Sequence, residues 1–180
     1  MRLLPVAFLL AACGSPAAAW QANEGGGAEA VAAEVVLTGH VVDDADFLSP
    51  AAEERISDRL DALEQATTDQ VVVVTLVTLR GAAIEDVAHD LGNRWGLGRA
   101  GVDNGVILIV ARDEGSIRLA VGSGLEDILT DAKTQAIVNE MGPKFDQNLP
   151  VDAIETAVTE IDRLLRGNPK RPIRAGKKAS

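Results

Sequence analysis

Asp103-Asn104-Gly105-Val106-Ile107-Leu108-Ile109-Val110-Ala111-Arg112-Asp113-Glu114-Gly115-Ser116-Ile117-Arg118-Leu119-Ala120-Val121 is the stretch whose reading decides the fold. Val106 to Val110 is an unbroken aliphatic run, the pattern of a strand covered on both faces. Arg112-Asp113-Glu114-Gly115 turns the chain, and Ser116 to Val121 returns as the hairpin partner. Upstream, Val71 to Leu79 opens with four consecutive valines and predicts a second doubly covered strand. Ile84, Val87, Ala88, Leu91 and Trp95 lie between them at helical spacing, and Gly96, Gly98 and Gly101 then open a loop. A strand–helix–strand crossover makes the 71–79 and 106–110 strands parallel.

Further out, Ser49-Pro50 is a helix start, with Ser as N-cap and Pro at the first helical position. Ile56, Leu60 and Leu63 make residues 50–66 an amphipathic helix. Val35-Val36-Leu37 and Val41-Val42 flank Gly39 as a short extended segment. After Gly124 one helix is expected from Leu125 or Thr130 to Met141, ended by Gly142-Pro143. Another is expected from Val151 to Arg166. The predicted order is β-α-β-α-β-β-α-α. The fold class is α/β: a three-layer α/β/α arrangement with helices on both faces of a small mixed sheet.

Composition narrows the function classes. Of 180 residues, 47% are hydrophobic but only 3% aromatic, with no Tyr, so the core is aliphatic. Few aromatic rings leave little to stack on bases, and the net charge of −10 repels phosphate backbones, so nucleic acid is excluded as a partner. The charge is unevenly spread. Arg166 to Ser180 carries six Lys/Arg and no acid, while residues 1–165 hold 11 Lys/Arg against 27 Asp/Glu, a net of −16. One Cys permits no internal disulfide, and two His permit no His-rich metal centre.

The N-terminus reads as an export signal over residues 1–19. Arg2 precedes the apolar run Leu3 to Ala12, which at about ten residues is too short to span a membrane. Leu10-Ala11-Ala12-Cys13-Gly14 resembles a lipobox, in which Cys13 is lipidated and anchors the mature chain to a membrane. Ala17-Ala18-Ala19 before Trp20 is an A-x-A site, which would instead release a soluble protein. Both readings place the chain outside the cytoplasm, the first as a periplasmic lipoprotein. Residues 20–39, rich in Ala and Gly, read as a flexible linker, residues 40–166 as the domain, and residues 167–180 as a basic, disordered tail.

The chemistry-bearing residues gather at one sheet end. Asp103-Asn104-Gly105 precedes one hairpin strand and Gly122-Ser123-Gly124-Leu125-Glu126-Asp127 follows the other, so Asp103, Asn104, Glu126 and Asp127 converge, with Asp69 and Gln70 starting there too. Carboxylates and an amide on Gly-rich loops suit a hard divalent cation, Ca²⁺ or Mg²⁺. The same residues also suit tight turns and a helix start. Gly122-x-Gly124 lacks the third Gly of a dinucleotide fingerprint, since position 127 is Asp. No Ser-His-Asp set is suggested: Ser49 reads as a cap, and His89 lies off the apolar stripe of its helix.

Four blocks in order resemble the TPM domain family. They are Val41-Val42-Asp43-Asp44-Ala45-Asp46-Phe47-Leu48-Ser49; Gln70-Val71-Val72-Val73-Val74; Trp95-Gly96-Leu97-Gly98 with Asp103-Asn104-Gly105-Val106-Ile107-Leu108; and Arg118-Leu119-Ala120-Val121-Gly122-Ser123-Gly124-Leu125-Glu126 with Leu129-Thr130-Asp131. The resemblance covers about residues 40–166. It implies an extracytoplasmic domain that binds a divalent cation and works with membrane or envelope protein partners in their assembly or maintenance. It implies a metal set of Asp103, Asn104, Glu126 and Asp43, although topology leaves open whether Asp43 lies at the opposite sheet end. The alternative it carries is a metal-dependent phosphatase acting on small phosphomonoesters, for which no catalytic residue is assigned. Many members have a transmembrane segment after the domain, where this chain has its basic tail.

Overall fold

The computed structural model describes residues 26–167. Export signal, Cys13 and tail therefore lie outside the described residues. Two strands carry the core, β2 (Gln70–Leu76) and β3 (Gly105–Ala111), paired in parallel with Val71 beside Val106 and Thr75 beside Val110. Their residues alternate between two hydrophobic clusters, as the two-residue period requires. Val71, Val73, Val106, Leu108 and Val110 face the first; Val72, Val74, Leu76, Ile107 and Ile109 face the second. β1 (Val41–Asp43) adds a short parallel strand on the β2 side, and β4 (Ser116–Val121) closes the other side antiparallel to β3, giving the order β1-β2-β3-β4.

The helices cover both faces. α2 (Pro50–Thr67) starts as expected: the Ser49 hydroxyl accepts from the Ala52 N–H at 3.3 Å and Pro50 occupies the first turn. Ile56, Leu60 and Leu63 are buried in the first cluster beside α4 (Asp131–Asp146) and α5 (Pro150–Arg166). Burying each such side chain contributes about 1.5–3 kcal/mol. α2 and α5 run parallel, since Arg55 meets Glu155 at 2.7 Å and Arg59 meets Asp162 at 3.2 Å. The second face holds α3 (Ile84–Trp95), capped by Gly96 in the left-handed region, and α1 (Gly26–Glu34).

Three expectations are corrected in detail. Residues 26–34, inside the stretch read as a flexible linker, form α1: an Ala-rich sequence has high helix propensity, and Ala28, Val31 and Ala32 give it an apolar face buried against α3. α4 does not stop at Gly142-Pro143 but runs on to Asp146. Pro143 is exposed there, so water can serve the carbonyl its ring leaves unpaired, while buried Met141 and partly buried Phe145, whose ring lies 5.6 Å from that of Phe47, hold the helix on both sides. Third, β2 ends at Leu76 rather than Leu79. The chain turns where the Glu114 carboxylate accepts from the Leu79 N–H and the Thr78 hydroxyl, at 2.8 and 2.7 Å.

Candidate functional site

The loops at the N-terminal ends of β2 and β3 are organised around Asn104, which is 0% exposed. Its Nδ2 donates to the Thr68 carbonyl at 2.6 Å and to Asp69 Oδ1 at 3.1 Å, and its Oδ1 accepts from the Arg99 N–H at 2.9 Å. Gln70 works alongside: its N–H donates to the Asn104 carbonyl at 3.0 Å, its Oε1 accepts from the Gly98 N–H at 2.9 Å, and its Nε2 donates to Glu64 at 3.0 Å. Asn104 thus ties the end of α2, the start of β2 and the Gly98–Arg99 turn into one unit. Its amide groups are turned inward to the protein rather than outward to a ligand.

Asp103 faces the other way. Its backbone is left-handed, at φ +50°, and its carboxylate is exposed, with Oδ2 accepting from the Ser123 hydroxyl at 3.1 Å. The loop after β4 packs against this corner backbone to backbone. The Gly124 N–H donates to the Asp103 carbonyl at 3.1 Å, and a Cβ at Gly124 would lie 1.8 Å from the Val102 carbonyl oxygen. Only glycine allows that approach. Glu126 follows two residues later on the exposed surface, with Asp127 beside it.

Asp43 is not at this corner. It pairs with Thr75, whereas Gln70 pairs with Gly105, so five steps along β2, about 16 Å, separate the two ends. At its own end Asp43 accepts from the Phe47 and Leu48 N–H groups, at 3.2 and 2.7 Å, and from the Thr75 hydroxyl. These bonds shape the turn that leads into α2. The expected four-residue metal set is therefore divided: Asp103 and Glu126 share an exposed loop end, Asn104 lies buried beneath it, and Asp43 is at the far end. Among the described residues no group of three or more His, Cys, Asp or Glu side chains is placed to hold a metal ion.

Sequence reasoning left out Ser123, whose signal was a hydroxyl between two loop glycines, and Thr75, whose signal was one polar residue inside an apolar strand. Trp95 sits as expected at the end of its helix stripe, partly buried against the second cluster. His89 is exposed on α3 and pairs with Asn93.

A family model described as TPM domain matches residues 41–164. Among solved structures, the N-terminal domain of a protein from P. gingivalis is 30% identical, with 72% of this chain and 83% of that chain covered and a TM-score of 0.67. The N-terminal domain of the cg2496 protein from Corynebacterium glutamicum is 18% identical, covering 71% and 80% at a TM-score of 0.56. The BA42 protein from the psychrophilic bacterium Bizionia argentinensis is 23% identical, covering 66% and 84% at 0.52. These last two likenesses bear on the fold alone. No curated protein matches the chain.

Proposed function

The chain belongs to the TPM domain family, and from that membership we propose that it is an extracytoplasmic binding and assembly module. In this reading the export signal carries it out of the cytoplasm and Cys13 tethers it to a membrane. Its Asp103 corner takes a divalent cation, Ca²⁺ or Mg²⁺, and the domain assists the assembly or maintenance of envelope proteins.

The observation that favours binding over hydrolysis is the placement of the hydroxyl and imidazole groups. Ser49 caps α2, Ser123 braces Asp103, and Thr75 braces Asp43. The His40 ring bonds the Val71 carbonyl through Nδ1 at 2.9 Å, and His89 pairs with Asn93. Each of these is explained by the loop or helix it holds. Phosphoryl transfer also needs positive charge around the substrate oxygens. Of Arg99, Arg112 and Arg118, Arg118 is paired with Glu85 at 3.3 Å and Arg112 donates to the Ala45 carbonyl at the Asp43 end of the sheet. Of the three, only Arg99, in the turn that leads into Asp103, stands at the corner, one guanidinium against the Asp103 and Glu126 carboxylates. The phosphatase reading is the weaker one on these grounds.

The groups that would hold the cation are the Asp103 and Glu126 carboxylates, with the Ser123 hydroxyl and main-chain carbonyls as neutral oxygens. A hard cation takes six to eight oxygen ligands, so two carboxylates leave several positions to water. Such a site is weak, with Kd on the order of 10⁻⁴–10⁻³ M.

The test is calorimetric titration of Ca²⁺ and Mg²⁺ into the full chain and two variants, with phosphomonoester turnover assayed in the same metal-loaded samples. Heat should vanish in Asp103→Ala and persist in Asp43→Ala. The second variant should instead lose about 2–4 kcal/mol of stability, because three donors lose a carboxylate acceptor. Heat unchanged in Asp103→Ala would remove the cation from this corner. Turnover that disappears with Asp103→Ala would put the phosphatase reading first.

A further inference from the structure

β4 ends the sheet, and among the described residues no strand lies on its outer side. Which of its backbone groups face outward follows from one hydrogen bond. The Gly122 N–H donates to the Gly105 carbonyl at 2.8 Å, so Gly105 and Gly122 form a hydrogen-bonded pair. Such pairs alternate along an antiparallel ladder. Ala120, Arg118 and Ser116 therefore bond β3, and the N–H and C=O groups of Ile117, Leu119 and Val121 face away from it. An open row of this kind is a template for another strand.

A groove of ≈ 500 Å³ follows this edge. Its floor is residues 117–121, and it lies between Glu85 of α3 and the 134–138 flank of α4, with Glu126 and Asp131 also lining it. Its three carboxylates outnumber Arg118, which Glu85 already pairs. The lining therefore favours a cationic occupant and disfavours a second acidic copy of itself.

A cationic segment begins close by. α4 and α5, of 16 and 17 residues, are packed together as a hairpin with only residues 147–149 between them. The end of α5 thus returns beside Asp131, at the roughly 8–10 Å spacing of packed helices. From there residues 168–180 continue with five Lys/Arg and no acid. Thirteen residues reach about 43 Å when extended, and the five-residue edge needs only about 17 Å.

We propose that the β4 groove is the docking site of the chain's own C-terminal segment, residues 168–180. Entering from the Asp131 end, the segment runs antiparallel to β4 and adds a fifth strand. Its main chain bonds Ile117, Leu119 and Val121, and its Lys and Arg side chains meet Glu85 and Asp131. Pro172 has no N–H to donate, which an outermost strand tolerates where that nitrogen faces solvent. The segment covers an edge that an extended partner segment would otherwise take. This inference does not depend on the cation reading.

The test is residue-resolved amide exchange on the full chain, wild type against the triple variant Lys170→Glu, Arg171→Glu, Arg174→Glu. In the wild type the Ile117, Leu119 and Val121 amides should exchange at least about tenfold more slowly than in the variant. The gap should narrow in about 1 M salt, where the Debye length is ~3 Å. The Arg118 and Ala120 amides, bonded to β3, should stay protected in both and so report that the variant is folded. Adding Asp131→Lys to the triple variant should restore part of the slowing. Equal, fast exchange in both proteins would overturn the proposal. Protection that survives charge reversal would overturn it too, and its dependence on protein concentration would say whether a second copy or another part of this chain covers the edge.

Discussion

Replacing Asn104 with Ala tests whether this side chain is the keystone of the loop end or a ligand held in reserve. The substitution removes three hydrogen bonds from a fully buried position: one to the Thr68 carbonyl, one to the Asp69 carboxylate, and one from the Arg99 N–H. Neutral bonds contribute about 1 kcal/mol each and the bond to a carboxylate about 1.5–3 kcal/mol. Neighbouring contributions are not strictly additive, so the expected loss is about 3–4 kcal/mol. For a domain of this size that lowers Tm by roughly 10–15 °C. In urea, at a slope of ~2 kcal/mol/M, the midpoint falls by about 1.5–2 M. Thermal unfolding followed by circular dichroism, with urea titration as the second measurement, reads the effect directly. A Tm drop under about 3 °C would show that the three bonds do not hold the loops together. A variant that kept its stability but lost cation binding would refute the keystone reading outright and return Asn104 to the ligand set.

Two further predictions rest on the same architecture. Gly124→Ala places a Cβ 1.8 Å from the Val102 carbonyl oxygen, so two backbones must part, and about 3 kcal/mol or more should be lost on thermal unfolding. Gly92→Ala, inside α3 with nothing within 4 Å of its Cβ, should gain about 0.5–1 kcal/mol, and equal stabilities for these two variants would sink the packing argument. At Glu114, burial pushes the carboxyl up, but the bonds it accepts from the Thr78 hydroxyl and the Leu79 N–H outweigh burial and hold it below its ordinary value. A depressed carboxylate stabilises the fold above its unfolded pKa, about 4.3, and that stability is lost as pH falls through the folded value. Wild type should therefore exceed Glu114→Gln by at most about 1 kcal/mol near neutrality, the group being exposed. The difference should close as pH falls through the folded value, and one that persisted once the carboxyl is protonated would contradict the linkage.

Much of the architecture was legible because the relevant signals are local. Four consecutive valines and the Val106–Val110 run can satisfy only strands covered on two faces, and Ser49-Pro50 states a helix start in two residues. The misread boundaries are places where tertiary contacts overrode local chemistry. Pro143 ends an isolated helix, but burial of Met141 and the Phe47–Phe145 contact carry α4 past it. The Ala-rich stretch 26–34 has no core of its own to bury, and becomes a helix on the surface that α3 provides.

The candidate site divides along the same line. Sequence order alone brought Asp103, Asn104 and Glu126 to one end, since a hairpin sets the start of one strand beside the end of the next. It also supplied the aliphatic core, the acidic body with a basic end, and the four blocks of the TPM domain family. Only the tertiary structure decided which way each side chain points: Asn104 inward to three partners, Asp103 outward beside Ser123. It also decided that Asp43 belongs to the other end, because β1 joins β2 in parallel with Asp43 beside Thr75. The physical reason is range. Periodicity and turn chemistry are written over a few residues, whereas strand register and the partners of a buried amide depend on groups some thirty residues apart in the chain, which only folding brings within about 3 Å.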